Sequence, residues 1–366
     1  MSMGSYPGLA AGQRARLMST APVTQPLRHP PMAAGWIDRP HHHVALGDFA
    51  LESGEVLRDA QLIWVEHGVR NAQGDNTVLV CCAIGSTHHR LDFLIGPQRC
   101  LDTNRFHVIV IDALGNGLSS SPSNSVHQPG ALFPRISIRD MVNSQRRLLE
   151  QLGIQQLYAV VGASMGGMQA LQWAVSDPER TQRVVAMTPM ARTSRWSQLV
   201  NELGRRALFL DAACTQPRDR ADAMRLWVPL AQLIVPSSPQ ALEDFASALS
   251  LMDWLDEKSS WFATHGPDAF DWLAQTRAYD EHDLGMTPGF AGDTAKALAA
   301  IGARTLVLAP ELDLYNPGWS AVAAAQAIAG ARFECIPSDR GHQAASGVRV
   351  ADIAWLDAQI RAFLQA

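Results

Sequence analysis

The chain has 366 residues, of which 47% are hydrophobic, so it is long and apolar enough for one large α/β domain, or for such a domain with a sizeable insertion. Its formal net charge is -5 and it contains no block of Lys or Arg, which excludes the basic surface that nucleic-acid binding requires. No apolar stretch reaches the ~20 residues of a membrane-spanning helix, so we expect no membrane partner.

The five cysteines are scattered along the chain and form no Cys-x-x-Cys pair. This spacing is typical of proteins from a reducing compartment rather than of a disulfide framework, so we predict a cytoplasmic protein. Residues 1–37 contain no Asp or Glu but carry three arginines, a bias that organelle transit peptides also show. An irregular leader over residues 1–44 is the preferred interpretation, and a targeting segment over residues 1–37 is the alternative.

A tract of three histidines, His41 to His43, closes the predicted leader. Adjacent histidines ahead of a strand cannot all face one ion, and no carboxylate cluster lies near them in the sequence. We therefore interpret the tract as solvated, and we predict no bound metal and no cofactor.

After the leader, short apolar runs alternate with helical patterns. The runs 76–85 and 106–115 are nearly continuous apolar segments that end in glycine, which is typical of strands buried on both faces of a parallel sheet. Residues 137–154 have helical spacing, with Ser137 as the predicted N-cap and Gly153 as the stop.

The same alternation continues towards the C-terminus. The further predicted strands are 157–164, 303–311 and 331–338, and the further predicted helices are 165–180, 319–330 and 350–364. Such alternation predicts an α/β fold with a mostly parallel central sheet, helices on both faces, and chemistry at the carboxyl ends of the strands.

The alternation fails between residues 191 and 295, where the pattern is helical throughout. We predict that residues 191–295 form a helical cap, or lid, inserted over the strand ends of a core made of 45–190 and 296–366. A second independent domain is the alternative interpretation.

One motif stands between a predicted strand and a predicted helix: Gly162-Ala163-Ser164-Met165-Gly166, a G-x-S-x-G sequence. This context is the one that a nucleophile elbow requires. A sharp turn there demands small neighbours, lifts the Ser164 hydroxyl above the sheet, and aims the N–H groups of the following helix at a developing oxyanion.

A serine hydroxyl needs a histidine base that a carboxylate orients, in the chain order Ser, acid, His for this kind of site. Just past the apolar strand segment 304–309, Glu311 and Asp313 are both candidate acids, and past the strand segment 332–337, His342 is the candidate base. All of these residues follow predicted strands in the required order.

The loop 81–86, at the end of the first apolar run, is expected to supply a second oxyanion donor, and we assign the backbone N–H of Ile84. Cys82 in the same loop is an alternative nucleophile, but we interpret it as a buried, inert thiol. For His88 and His89, surface positions or indirect roles at the pocket border are the preferred interpretations.

These segments resemble the homoserine O-acetyltransferase family, whose members have the α/β-hydrolase fold. The resemblance covers roughly residues 48–195 and 270–345, with "GASMGGMQALQWA" as its most specific part. It implies Ser164 as nucleophile, Asp313 as acid, His342 as base, and backbone N–H groups of Met165 and Ile84 as the oxyanion hole.

The sequence also departs from that family. Gln343 stands where the family has an aspartate that holds the substrate ammonium, and Cys82 stands in place of a histidine. The stretch "GLSSSPSNS" replaces a glycine- and threonine-rich segment, and Arg225 is the one match we find for the residues that hold the substrate carboxylate. These differences indicate a divergent member, with Gln343 and Arg225 as candidate pocket residues.

The leading hypothesis from the sequence is a hydrolase of small carboxylic esters, or of related amides or lactones, that works through an acyl-enzyme on Ser164. The alternative is an acyl-CoA-dependent O-acyltransferase, with acetyl-CoA as co-substrate and the same three residues. A non-catalytic ligand-binding module is the third hypothesis. The expected partner is a small-molecule ester or acyl substrate, and analogy with the family suggests a homodimer.

Overall fold

A single sheet of eight strands forms the centre of the computed structural model, which describes residues 29–246 and 250–366. The strands are β1 (His42–Ala50), β2 (Val56–His67), β3 (Thr77–Cys81), β4 (His107–Ile111), β5 (Ala159–Ala163), β6 (Arg183–Met187), β7 (Arg304–Pro310) and β8 (Arg332–Ile336). Their order across the sheet is β1-β2-β4-β3-β5-β6-β7-β8.

The sheet is parallel from β4 to β8, whereas β1 pairs antiparallel with β2 and β2 pairs antiparallel with β4. All residues of β3, β4 and β5 are buried, which explains their continuous apolar sequences. The predicted α/β fold with a mostly parallel sheet is therefore confirmed. The sequence patterns did not identify β1, β2 or β6.

Ten α-helices lie in the described residues. They are α1 (Ile138–Gln151), α2 (Met165–Ser176), α3 (Arg195–Leu208), α4 (Arg220–Ile234), α5 (Pro239–Ala246), α6 (Leu251–His265), α7 (Ala269–Asp280), α8 (Thr294–Ala299), α9 (Gly318–Ala327) and α10 (Val350–Gln365). None of them combines the length and the apolar character that crossing a bilayer requires.

The helix α1 begins and ends where the sequence predicts. The Ser137 hydroxyl accepts a hydrogen bond from the Asp140 N–H (3.0 Å), and the Asp140 carboxylate accepts from the Ser137 N–H (2.8 Å), so the two residues form a capping box. Gly153 follows the helix with a φ of 66°, a left-handed conformation that suits glycine.

The segment 191–295 is helical, and it contains no β-strand in its described residues. Its helices have a small apolar cluster of their own, separate from the main core. The buried members of this cluster are Leu208, Phe209, Cys214, Ala223, Met224, Val228 and Leu273. This agrees with a helical cap, although the domain boundaries themselves stay a prediction.

The junction between β5 and α2 is packed backbone against backbone. A Cβ atom at Gly162 would lie 2.1 Å from the carbonyl oxygen of Gly166, and one at Gly166 would lie 2.2 Å from the carbonyl oxygen of Cys81. Only glycine fits at these two positions, because neither backbone neighbour can rotate away as a side chain can.

We expect Gly162→Ala to lower the free energy of unfolding by about 1–3 kcal/mol or more, because the added methyl overpacks this junction. Gly302→Ala is the matched control, since a Cβ there meets no atom within 4 Å. Chemical denaturation followed by circular dichroism measures both variants. Equal stability of the two variants would show that the junction tolerates a side chain.

Candidate active site

Ser164 lies at the turn between β5 and α2, with a φ of 57° and a ψ of -124°. This backbone conformation is strained for a residue with a side chain, and such strain concentrates at functional sites. The N–H of Ser164 holds the turn, because it donates to the carbonyl oxygen of Met187 (2.9 Å) and lies 3.3 Å from the Thr188 hydroxyl. The side chain is consequently fixed at the carboxyl end of the sheet.

His342 lies within hydrogen-bond distance of both of the other predicted catalytic residues, Ser164 and Asp313. His342 Nε2 is 2.8 Å from the Ser164 hydroxyl, and His342 Nδ1 is 2.8 Å from Asp313 Oδ2. The His342 Nδ1–H donates a hydrogen bond to the Asp313 carboxylate, so Nε2 presents its lone pair to the serine O–H. This arrangement prepares the imidazole to take the serine proton.

Asp313 is held in the loop after β7 by two backbone donors. Its Oδ1 accepts from the N–H groups of Tyr315 and Asn316, both at 2.8 Å. The other candidate acid, Glu311, is exposed on the same loop. The structure therefore brings Asp313, and not Glu311, to His342.

His342 lies in a short 3-10 helix, Gly341–Ala345, that follows β8. Its N–H donates to the carbonyl oxygen of Val235 (2.9 Å), just past the end of α4 in the helical segment. Gly341 has a φ of 50°, and a Cβ there would lie 2.3 Å from the Ser237 side chain. The loop that carries the imidazole is thus pressed against the predicted cap.

Two buried tyrosines, to which the sequence analysis gave no role, surround these side chains. The Tyr279 hydroxyl contacts the Ser164 side chain and donates to Asn316 Oδ1, and burial raises the pKa of Tyr279 well above its ordinary value. The Tyr315 ring stands edge-on to the His342 ring, with centroids 5.0 Å apart. Both phenols stay protonated and fix the positions of their neighbours.

A cavity of about 360 Å³ opens at Ser164 and His342, between the sheet and the helices α3, α4 and α6. Ile84 lines it beside Gly85, whose N–H donates to Gln275 Oε1 (2.8 Å) on α7. Met165 is the first residue of α2, where N–H groups have no partner within the helix. That the N–H groups of Ile84 and Met165 form an oxyanion hole stays a prediction.

Most described residues of the cavity wall are apolar, and none is Asp or Glu. Its polar members include Arg90, Trp272 and Gln343. Within the described part of the chain, Trp272 Nε1 and Gln343 Oε1 are buried without a hydrogen-bond partner. Because buried polar atoms are nearly always paired, these two atoms are available to a bound substrate.

Arg90 is the cation of this wall, and burial lowers its pKa to about 10, so the guanidinium is charged at neutral pH. The sequence analysis missed it, since nothing in the local pattern distinguishes it from a surface arginine. Of the two candidate pocket residues, Gln343 lines the cavity and Arg225 does not. The Arg225 side chain is 68% exposed and pairs with Asp222 on the outer face of α4.

The cysteine and histidines near this loop also have defined surroundings. Cys82 is fully buried, its thiol donates to the carbonyl oxygen of Ile111, and burial raises its pKa well above the ordinary value, which fits the inert thiol that the sequence predicts. A surface position for His88 and His89 is wrong, because both are buried. Each ring donates to a buried carboxylate that the local sequence pattern does not reveal.

Comparisons with known proteins agree with this fold. The family model described as alpha/beta hydrolase fold matches residues 77–222. A homoserine O-acetyltransferase from Methanococcoides burtonii is 31% identical over 315 residues, which are 76% of this chain and 64% of that protein. A homoserine O-succinyltransferase from Stutzerimonas stutzeri is 40% identical over 179 residues, 44% of this chain and 47% of that protein.

Among solved structures, the acetyl esterase MekB is similar, with a TM-score of 0.82 and 28% sequence identity. The alignment covers 89% of this chain and 97% of the esterase. The chain spans less than two thirds of the length of the two curated relatives. The chain has the α/β-hydrolase fold, and it is similar in sequence to homoserine O-acetyltransferases.

Proposed function

We propose that the protein is a serine-nucleophile acyltransferase, which moves a small acyl group from a thioester or ester donor onto an acceptor hydroxyl. The observation that carries the proposal is the contact of His342 with both Ser164 and Asp313, at 2.8 Å on each side. A histidine in that position can activate the serine and later the acceptor.

In the first half of the reaction, the Ser164 oxygen attacks the acyl carbonyl and its proton moves to His342 Nε2. Asp313 stabilises the imidazolium through Nδ1, and the N–H groups of Ile84 and Met165 bind the oxyanion. The leaving thiolate or alkoxide then takes the proton from Nε2, which leaves an acyl-enzyme on Ser164.

In the second half, an acceptor O–H binds where the leaving group departed. His342 takes its proton, the acceptor oxygen attacks the acyl-enzyme, and the proton returns to the Ser164 oxygen as the new ester leaves. The reaction is transfer when the acceptor is an alcohol and hydrolysis when the acceptor is water, because His342 and Asp313 can activate either one.

Transfer to an alcohol, the alternative hypothesis of the sequence analysis, is better supported than hydrolysis. Both curated relatives described above are named as homoserine O-acyltransferases, one acetyl and one succinyl. An acyl-CoA such as acetyl-CoA is accordingly the proposed donor.

Hydrolysis is the second candidate, and two observations favour it. The similarity to the acetyl esterase extends over 97% of that protein. In addition, the described cavity wall contains no carboxylate to hold an ammonium group, and Gln343 offers only a neutral amide. Among alcohols, the cavity therefore suits a neutral or anionic acceptor better than homoserine.

The choice of acceptor is measured by CoA release from acetyl-CoA in the presence of three related compounds. Homoserine carries an ammonium and a carboxylate, 4-hydroxybutyrate carries the carboxylate alone, and 1-butanol carries neither. We expect release to depend on the acceptor, with 4-hydroxybutyrate fastest and homoserine slowest. Release at one rate with every acceptor would identify a hydrolase, and fastest release with homoserine would contradict the inferred acceptor class.

We expect the guanidinium of Arg90 to bind the carboxylate of 4-hydroxybutyrate. Arg90→Gln should therefore lower kcat/KM for 4-hydroxybutyrate, relative to 1-butanol, by about 10- to 100-fold, because a hydrogen bond to a charged group contributes about 1.5–3 kcal/mol. Arg225→Gln removes an exposed arginine outside the cavity and serves as the matched control. An unchanged ratio in Arg90→Gln would place the substrate carboxylate elsewhere.

We expect Asp313→Asn to lower turnover of p-nitrophenyl acetate by about 10³- to 10⁴-fold, because an amide cannot hold the imidazole in the tautomer that accepts the serine proton. Glu311→Gln is the control, since that carboxylate lies exposed on the same loop. Ser164→Ala supplies the blank. A large loss in Glu311→Gln with little loss in Asp313→Asn would reverse the assignment.

A further inference from the structure

A cluster of imidazoles lies outside the cavity, where the extended segment before β1 crosses the loop after β3. One ring nitrogen from each of His29, His41 and His88 lies within 4.8 Å of the other two. His88 is 1% exposed, His29 is partly buried and His41 is exposed. A fourth imidazole, His89, adjoins the cluster, with its Nε2 3.0 Å from His29 Nε2.

The Nδ1 atoms of His88 and His89 each donate a hydrogen bond to a carboxylate. His88 Nδ1 is 2.8 Å from Asp112 Oδ2, and His89 Nδ1 is 2.6 Å from Asp92 Oδ2. An ionised carboxylate only accepts, so each Nδ1 carries the hydrogen. A neutral imidazole has a single N–H, so the Nε2 atoms of His88 and His89 each carry a lone pair.

His29 is committed in the same way, because its Nδ1 is 2.6 Å from the carbonyl oxygen of Pro30, which also only accepts. His29 Nε2 and His89 Nε2 consequently face each other as two lone pairs. His88 Nε2 is buried and, among the described residues, has no hydrogen-bond partner. These Nε2 lone pairs need an electron-pair acceptor, such as a proton or a metal cation, between them.

A proton on His29 Nε2 would relieve part of this conflict. However, that proton would still leave His88 Nε2 without a partner among the described residues. A cation with several acceptor positions satisfies all of the lone pairs at once.

We propose that His29, His41 and His88 bind one divalent transition-metal ion of the zinc type, with His89 as a fourth imidazole ligand. Neutral imidazoles suit Zn²⁺ and its neighbours among the transition metals. Tetrahedral bonds of about 2.0–2.1 Å hold ligand nitrogens about 3.4 Å apart, and the ring nitrogens of His29, His41 and His88 lie within 4.8 Å of one another.

The carboxylates beside the cluster complete the chemistry of such a site. Ligating histidines usually donate their other N–H to a carboxylate or a carbonyl, which fixes the ring and makes it a stronger ligand. Asp112, Asp92 and the Pro30 carbonyl do this for the three rings that they contact. No local sequence pattern indicates the site, because only His41 of the histidine tract takes part.

The remaining histidines of that tract have other partners. His42 stacks on Trp64, with ring centroids 4.4 Å apart, and His43 Nε2 hydrogen bonds to Gln61. The expectation that adjacent histidines do not share one ion therefore stands. The ligands come instead from positions far apart in the sequence.

A metal at this place would be structural. It would fasten the segment 29–41 to the loop after β3, which also carries Ile84 at the cavity. A short chain of hydrogen bonds connects His88 with the loop near Ile84. Asp112 accepts from the backbone N–H of His88 and from Asn116 Nδ2, and Asn116 Nδ2 also donates to the carbonyl oxygen of Ser86. The ion would thus hold the loop that carries the predicted oxyanion donor.

The test uses the full chain without an affinity tag, freed of metal by a chelator and titrated with Zn²⁺ alone against a chromophoric competitor. We expect one equivalent to bind. His29→Gln and His41→Gln should each weaken binding by at least about 10-fold. His43→Gln is the matched control from the same tract and should bind as the native chain does.

Thermal unfolding provides a second readout that does not involve catalysis. Zn²⁺ should raise the Tm of the native chain and of His43→Gln, and should have little effect on His29→Gln and His41→Gln. No bound equivalent in the native chain, or equal weakening in all three variants, would overturn the proposal. Because His41 is exposed, its replacement tests the site without disturbing the core.

Discussion

The structure depends on one constraint, the left-handed backbone of Ser164 at the end of β5. A side chain can be held there only because Gly162 and Gly166 let the strand, the helix and the neighbouring loop approach without Cβ atoms. The turn sets the serine oxygen where His342 reaches it, and it places the start of α2 beneath the same point. The predicted nucleophile and the N–H of Met165, one of the two expected oxyanion donors, are therefore positioned by a single backbone feature.

The cap region and the predicted catalytic residues are mechanically connected. The loop of His342 hydrogen bonds to the end of α4 and packs Gly341 against Ser237, and the loop of Ile84 hydrogen bonds to Gln275 on α7. Movement of these helices would consequently alter both the base and the predicted oxyanion donor. The buried hydroxyl of Tyr279 donates to Asn316, and that of Tyr315 donates to Asn201 on α3, so further hydrogen bonds join the loop of Asp313 to these helices.

The sequence predicts those parts of the site that local patterns determine. The G-x-S-x-G turn and the strand exits indicated Ser164, Asp313 and His342, since each lies at a recognisable change from strand to loop. Arg90 and Tyr279 were missed because their roles arise from contacts between distant segments. Arg225 was placed in the pocket although it lies on the outer face of its helix, and helical spacing alone does not tell which face meets the cavity. The strands β1 and β2 were not predicted from the sequence, because their partly exposed faces interrupt the apolar pattern.

Under the proposed function, the charge of the cavity wall would affect how turnover ends. Hydrolysis, or transfer to an acceptor that carries a carboxylate, would leave an anionic product in the cavity that also contains the guanidinium of Arg90, whereas transfer to a neutral alcohol would leave an uncharged ester. Attraction in a poorly solvated space would slow the release of the anionic products. The wall would therefore act on the products after the bond-making step as well as on the acceptor before it.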